Sequence, residues 1–106
     1  MADGKTMIEG KIVRVCGRGA EVFFWITQPD DLVQSRHANG FFYESDDLQL
    51  LMKHVKPGCV VLYVGSHIGN HAIFFEKFLH AREIILIEPN PATIDHLRIN
   101  IGLNRL

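Results

Sequence analysis

The sequence predicts an α/β fold, with a β-hairpin region over residues 1–43 and a helix followed by a strand–helix–strand–helix unit over 44–106. Three observations carry this. The first third alternates apolar and polar residues or is rich in β-branched and aromatic ones. Two later stretches with apolar runs, Val60–Val64 and Glu83–Glu88, read as buried strands, the first without alternation, as parallel strands covered on both faces do. Each run is followed by a helical pattern, and the first is separated from its helix by a glycine-rich turn.

Taken in order, Lys11–Val15 alternates and reads as a half-buried strand. Glu21–Thr27 holds Val22, Phe23, Phe24, Trp25 and Ile26 and reads as its partner, with Gly17-Arg18-Gly19 as the turn. Gln28–Asp31 ends that strand. Residues 32–43 show no clear period, apart from a short extended piece expected at Gly40–Tyr43. Ser45 is the expected cap of a helix running to about Val55, with Leu48, Leu51, Met52 and Val55 on one face. Asp46 and Asp47 fall in its first turn, where the helix dipole favours negative charge. Lys56-Pro57-Gly58 stops it. After the strand ending at Val64, Gly65-Ser66-His67-Ile68-Gly69 turns the chain into a helix over Asn70–Leu79. The strand Glu83–Glu88 ends in an acid. Asn90 and Pro91 then start a last helix as N-cap and first helical residue, with Ile94, Leu97 and Ile101 as its apolar positions.

A chain of 106 residues that is 47% hydrophobic has material for one core. Its net charge of −1 gives no electrostatic basis for binding nucleic acid or an anionic membrane, so neither partner is expected. No segment reads as a signal peptide or a membrane span. Cys16 and Cys59 form no disulfide framework and read as buried thiols, which makes the cytoplasm the expected compartment. His37, His54, His80 and His96 read as surface residues, and no metal site is expected from His67 and His71.

The chemistry concentrates at the strand ends. Glycines between a buried strand and a helix let a ligand approach backbone N–H groups that suit a carboxylate or phosphate. An acid ending the next strand can accept hydrogen bonds from both hydroxyls of a ribose. Glu88 follows Gly65 by 23 positions, and Pro89 holds it extended. A phosphate loop for ATP needs Gly-Lys-Ser/Thr, whereas Gly69 is followed by Asn70-His71. The dinucleotide pattern G-x-G-x-x-G is also absent. A nucleoside ligand carrying a carboxylate fits better, and S-adenosylmethionine has both.

Val61-Leu-Tyr-Val-Gly-Ser-His-Ile-Gly-Asn-His71, Phe74-Phe75, Ile87-Glu-Pro-Asn-Pro91 and Leu97-Arg-Ile-Asn-Ile-Gly-Leu-Asn104 resemble the FkbM family of S-adenosylmethionine-dependent methyltransferases. The resemblance covers about residues 41–106. It implies a Rossmann-like class I methyltransferase fold, apparently truncated here, that methylates a hydroxyl of a sugar or another small-molecule acceptor. Carried over by position, the cofactor-binding residues are Tyr63, Gly65, Ser66, His67, Gly69, Asn70, Glu88 and Asn90. Gly65 and Gly69 would line the methionine end, the backbone of Ser66–Asn70 would face its carboxylate, Glu88 would bind the ribose and Asn90 would lie near the adenine. No catalytic residue is assigned. Tyr63 stands where the family has an aspartate, and Ser66 and His67 replace its alanine and asparagine. Glu44 reads first as a helix-start acid and second as a neighbour of the cofactor pocket. With only two parallel strands visible, the sheet edges invite self-association. They also allow the sheet to be completed by the N-terminal hairpin. The alternatives to an enzyme are a non-catalytic binding module derived from this fold and an NAD-binding fragment.

Overall fold

Alternating apolar side chains in the first strands produce a two-stranded antiparallel hairpin in the computed structural model, which describes residues 10–17 and 19–105. β1 (Lys11–Gly17) pairs with β2 (Ala20–Ile26) in a register that sets Val15 opposite Val22 and Gly17 opposite Ala20. Arg18, part of the expected turn, lies outside the described residues. Val15, Val22, Phe24 and Ile26 are buried, so one face of the hairpin is a core face. Cys16 belongs to β1, but its side chain lies outside what is described.

The stretch without a clear period holds a helix, α1 (Leu32–Ala38). Asp31 caps it, accepting from the N–H groups of Val33 at 3.1 Å and Gln34 at 3.0 Å. No apolar stripe announced it because its inner face is polar: the buried residues are Gln34 and His37. Gln34 Oε1 accepts from the N–H groups of Thr27 and Gln28, and the His37 ring stacks on Phe24 at 3.6 Å. No strand forms at Gly40–Tyr43. Gly40 is instead the left-handed residue that closes α1 (φ 89°), with Gly40 N–H donating to His37 O and Phe41 N–H to Arg36 O.

α2 (Ser45–Met52) begins one residue earlier than a Ser45 cap requires and stops three residues short of Val55. The cap position belongs to Glu44, which is itself left-handed (φ 55°, ψ 39°). Leu48 is the buried residue of this helix; Met52 and Val55 pack partly, and Leu51 is exposed.

β3 (Val60–Val64) and β4 (Glu83–Ile87) are parallel and in register, Val60 opposite Glu83 and Val64 opposite Ile87. Cys59 precedes β3 and is half-buried rather than buried. The connection runs through α3 (Asn70–Phe74), which continues without a break as one π-helical stretch, Phe75–Leu79. α4 (Pro91–Leu103) starts as the sequence predicts: Asn90 caps it by accepting from Ala92 N–H at 3.1 Å, and Pro91 follows. The protein is therefore α/β, with two separate two-stranded sheets and four helical segments among the described residues. The hairpin does not extend the parallel sheet, and this corrects the expectation that it completes that sheet. No helix among the described residues is long and apolar enough to cross a membrane.

One core joins the two sheets. Val15, Val22, Phe24 and Ile26 of the hairpin meet Phe42, Leu48, Ile73, Phe74, Phe75 and Leu79. The parallel strands are covered on one face only, which corrects the expectation of two covered faces. Val61, Tyr63 and Ile84 pack toward the core, and Ile84 and Leu86 lie beside Ala72 and Ile101. Leu62, Val64 and Ile87, on the other face, remain 61%, 70% and 47% exposed.

The free edge of β2 is satisfied by side chains. His96 and Asn100 of α4 and its C-cap Asn104 recur every fourth residue and turn toward the same side. Asn104 accepts from Phe23 N–H at 2.9 Å and donates to Phe23 O at 2.7 Å. Asn100 accepts from Trp25 N–H at 2.8 Å, and His96 Nε2 donates to Trp25 O at 2.6 Å. A helix thus does what a neighbouring strand would do, and leaves the edge unavailable for pairing. His37 and His96 are buried, contrary to their reading as surface residues; each is kept inside by a hydrogen bond from its ring.

Candidate functional site

The C-terminal ends of β3 and β4 form the site, the place where open parallel sheets bind ligands. Gly65 (φ 77°) turns the chain out of β3, and its N–H and that of Ser66 donate to Ile87 O at 2.7 and 3.2 Å. Gly69 (φ 99°) turns it into α3. Both angles lie where a Cβ is strained. At Gly69 space is also lacking, since a Cβ there would stand 2.9 Å from Leu97 Cδ1. Gly69→Ala should therefore cost about 2 kcal/mol from backbone strain and overpacking together, read as a lower urea midpoint. An unchanged midpoint would show that Leu97 simply moves aside.

Across this loop lies Glu88. Its Oε1 accepts from His67 N–H at 2.8 Å and its Oε2 from Asn90 N–H at 3.1 Å. The carboxylate is thereby fixed at the mouth of the glycine turn and still reaches solvent. Asn100 supports the loop from behind, donating to Ile68 O at 2.8 Å.

Beside the loop is a cavity of about 250 Å³, walled by Tyr43, Glu44, Tyr63, Ser66, Asn70 and His71 and closed by Val33 and His67. Tyr63 leaves β3 on the covered face, and its hydroxyl hydrogen-bonds His71 Nδ1. His71 Nε2 faces the Glu44 carboxylate at 3.5 Å. Burial pushes the His71 imidazole below its ordinary range, against the opposing pull of Glu44 and Asp47. Burial, with Glu44 adding to it, pushes the Tyr63 phenol up. At neutral pH both groups are uncharged, and Glu44 brings a negative charge to this wall. Ser66 is 4% exposed, and its Oγ has no hydrogen-bond partner among the described residues.

Of the residues picked out in the sequence, Tyr63, Ser66, His67 and Asn70 line the cavity. Gly65 and Gly69 shape the turn, and Glu88 stands over it. Asn90 is occupied as the cap of α4. Asn70 is buried: its Oδ1 accepts from Tyr43 N–H at 2.8 Å and from His37 Nε2 at 2.7 Å, and its Nδ2 donates to Tyr43 O at 2.8 Å. Its side chain therefore fixes the turn that presents Glu44. Among the described residues no three His, Cys, Asp or Glu side chains converge as metal ligands. Tyr43 and His71 were not expected in the site. The signal available for them was adjacency, Tyr43 to Glu44 and His71 to the glycine turn. Compared with known proteins, the chain matches no family model, no curated protein and no solved structure.

Proposed function

We propose that the chain is a Rossmann-like, S-adenosylmethionine-dependent methyltransferase unit, acting on a hydroxyl of a sugar or another small metabolite. One observation carries the reading: a carboxylate ending one parallel strand is fixed over the glycine turn that ends its neighbour, 2.8 Å from a loop N–H, with a cavity beside it. That arrangement suits a nucleoside whose ribose meets Glu88 and whose amino-acid end enters the cavity. The cavity is below the 300–1,000 Å³ of sites that enclose a whole drug-sized ligand, so it takes one end only. The residues present fit the cofactor on a local criterion as well, because Ser66, one of the lining residues, keeps a buried hydroxyl without a partner among the described residues. When bound, S-adenosylmethionine supplies an electrophilic methyl group on sulfur. The N–H groups of Gly65, Ser66, His67 and Gly69 are taken up within the protein, so the ribose hydroxyls would be held by the remaining lone pairs of the Glu88 carboxylate, which the His67 N–H keeps in place.

Isothermal titration calorimetry tests this with S-adenosylmethionine and NAD as ligands. Binding of the first and not the second is expected. Glu88→Ala should weaken it about ten-fold or more, because hydrogen bonds to a charged group contribute about 1.5–3 kcal/mol. Binding of NAD alone, or no effect of Glu88→Ala, would overturn the reading.

A second reading, an interaction module without catalysis, is favoured by the uncovered face of β3 and β4, where Val60, Leu62, Val64, Ile85 and Ile87 stand exposed together. Faces of parallel sheets are ordinarily buried, and contiguous apolar patches mark contact surfaces. Failure to bind either S-adenosylmethionine or NAD would favour it.

A further inference from the structure

A second cavity, of about 470 Å³, opens between the end of β2, the start of α1 and the first turns of α4. His67 is the lining residue it shares with the cavity beside the glycine turn. We propose that it binds a guanidinium group, held by the Asp31 and Asp95 carboxylates and by His96 Nδ1, beside the indole of Trp25. The site is independent of the nucleoside reading of Glu88.

The charge comes first. Asp31 and Asp95 both line the cavity. Asp31 spends one oxygen, Oδ2, on the N–H groups of Val33 and Gln34, which fixes the carboxylate and leaves Oδ1 over. Asp95 stands exposed at the rim. The ion pairs among the described residues are Arg14–Glu21 and His71–Glu44, so neither carboxylate has a cationic partner there. Carboxylates that share a partly enclosed space attract a cation more strongly than they would in bulk water.

Two buried polar side chains in the wall say more about the ligand. His96, 8% exposed, donates Nε2–H to Trp25 O at 2.6 Å. Burial pushes its imidazole below the ordinary range; His67 adds to this, and the Trp25 bond and Asp31 oppose it. The ring is neutral at pH 7, so Nδ1 keeps its lone pair as an acceptor, with no donor to it among the described residues. Gln34, 6% exposed, is set the other way round. Its Oε1 takes the N–H groups of Thr27 and Gln28, and its Nε2 hydrogens remain without an acceptor among the described residues.

A matching ligand brings positive charge and several N–H donors in one group. A metal ion brings no donor, and among the described residues no three His, Cys, Asp or Glu side chains converge on one. An ammonium offers three donors from a point, whereas a guanidinium offers five in a plane. The plane matters because Trp25 lines the same cavity, half-buried and with the His96 ring edge-on at 5.0 Å. Indole is the aromatic face that cations favour most, and a guanidinium can stack on it while its edge donates to carboxylates. The volume lies within the 300–1,000 Å³ of small-molecule sites.

NMR titration of the chain with Nα-acetyl-arginine amide, its citrulline counterpart and ethylguanidinium tests this. Citrulline keeps the shape and loses the charge, and should bind about ten-fold more weakly or worse. Asp31→Asn and Asp95→Asn should each weaken the arginine ligand about five-fold. Asparagine caps a helix as well as aspartate does, so Asp31→Asn keeps the start of α1. The nitrogen resonance of His96 Nδ1 should move as its lone pair is taken up. Glu44→Gln, in the other cavity, should change nothing. If the arginine amide binds more tightly than ethylguanidinium, the source is an arginine residue of a polypeptide, with its carbonyl as the acceptor for Gln34; equal binding assigns the site to a small guanidino compound. Equal binding of citrulline, no effect of either aspartate variant, or loss of binding in Glu44→Gln would overturn the inference. No binding of any of the three ligands would overturn it as well. S-adenosylmethionine binding is untouched by each of these outcomes, so the two readings stand or fall separately.

Discussion

Asn100→Ala should lower stability by about 3 kcal/mol, and by more than any single substitution on the outer face of α4. Asn100 is fully buried, and its side chain amide makes two bonds that nothing else can replace. Oδ1 accepts from Trp25 N–H at 2.8 Å, and Nδ2 donates to Ile68 O at 2.8 Å. Alanine leaves both backbone groups buried and unpaired, at about 1–3 kcal/mol each. For a domain of this size 1 kcal/mol moves the melting temperature by about 4–8 °C, so a fall of roughly 15 °C is expected. Asn100→Asp should be no better. It keeps an acceptor for Trp25 but sets a second oxygen against the Ile68 carbonyl, and it buries a charge. Urea and thermal melts measure both. A loss below about 1 kcal/mol would show that apolar packing alone holds α4 to the hairpin. The same substitution frees the Ile68 carbonyl in the middle of the glycine turn, so ligand affinity should fall together with stability.

That residue also shows where the sequence stops being informative. The fourfold spacing of His96, Asn100 and Asn104 is plain in the sequence, yet nothing in it indicates that the polar face of one helix satisfies the edge of a strand some 75 residues away. Ile94, Leu97 and Ile101 were the expected inner positions; Leu97 is buried, and the other buried residues of α4 are His96 and Asn100. α1 escaped for a related reason. Its buried residues, Gln34 and His37, are polar, and Leu32 is exposed, so an apolar period could not form. The legible parts are those specified locally. The hairpin follows from alternation and a glycine turn, the start of α4 from Asn90-Pro91, and the strand–helix–strand unit from apolar runs broken by Gly65 and Gly69. At the site, Tyr63, Ser66 and the glycines could be placed because they are contiguous in the chain. The position of Glu44 could not, because it depends on a left-handed backbone held by Asn70, a contact between distant segments. The open face of β3 and β4 could not be read either. Val60–Val64 is apolar at every position, so its pattern carries no information about which face is covered.

Acid should destabilise the protein through His37. This residue is completely buried, stacked on Phe24 at 3.6 Å with ring planes 8° apart. Asn70 Oδ1 also accepts from Tyr43 N–H, so it is an acceptor, and His37 Nε2 must carry the hydrogen in their 2.7 Å bond. The remaining nitrogen, Nδ1, has no partner among the described residues. A proton added there would place a charge in the core. Burial accordingly lowers the pKa from 6.5 to about 4; His96 and His67 act in the same direction, and the Asn70 bond and Asp31 oppose it. The folded value lies below the unfolded one, so the unfolded chain takes up the proton first as the pH falls. The stability contributed by neutral His37 is therefore complete above pH 6.5 and is lost progressively down to about pH 4. The full span corresponds to about 3 kcal/mol. His71 and His96, both lowered by burial, add in the same direction. Urea midpoints at pH 7, 5.5 and 4.5 should fall steadily, and in His37→Gln the slope should flatten even though the variant is less stable at pH 7. An NMR titration that places His37 near 6.5 would overturn the argument. The consequence reaches the site, because His37 anchors Asn70 and Asn70 clamps Tyr43 beside Glu44. Protonation of His37 in the folded core sets in only near pH 4, so any loosening of the carboxylate at the cavity should appear at a lower pH than the fall of the urea midpoint, which begins near pH 6.5.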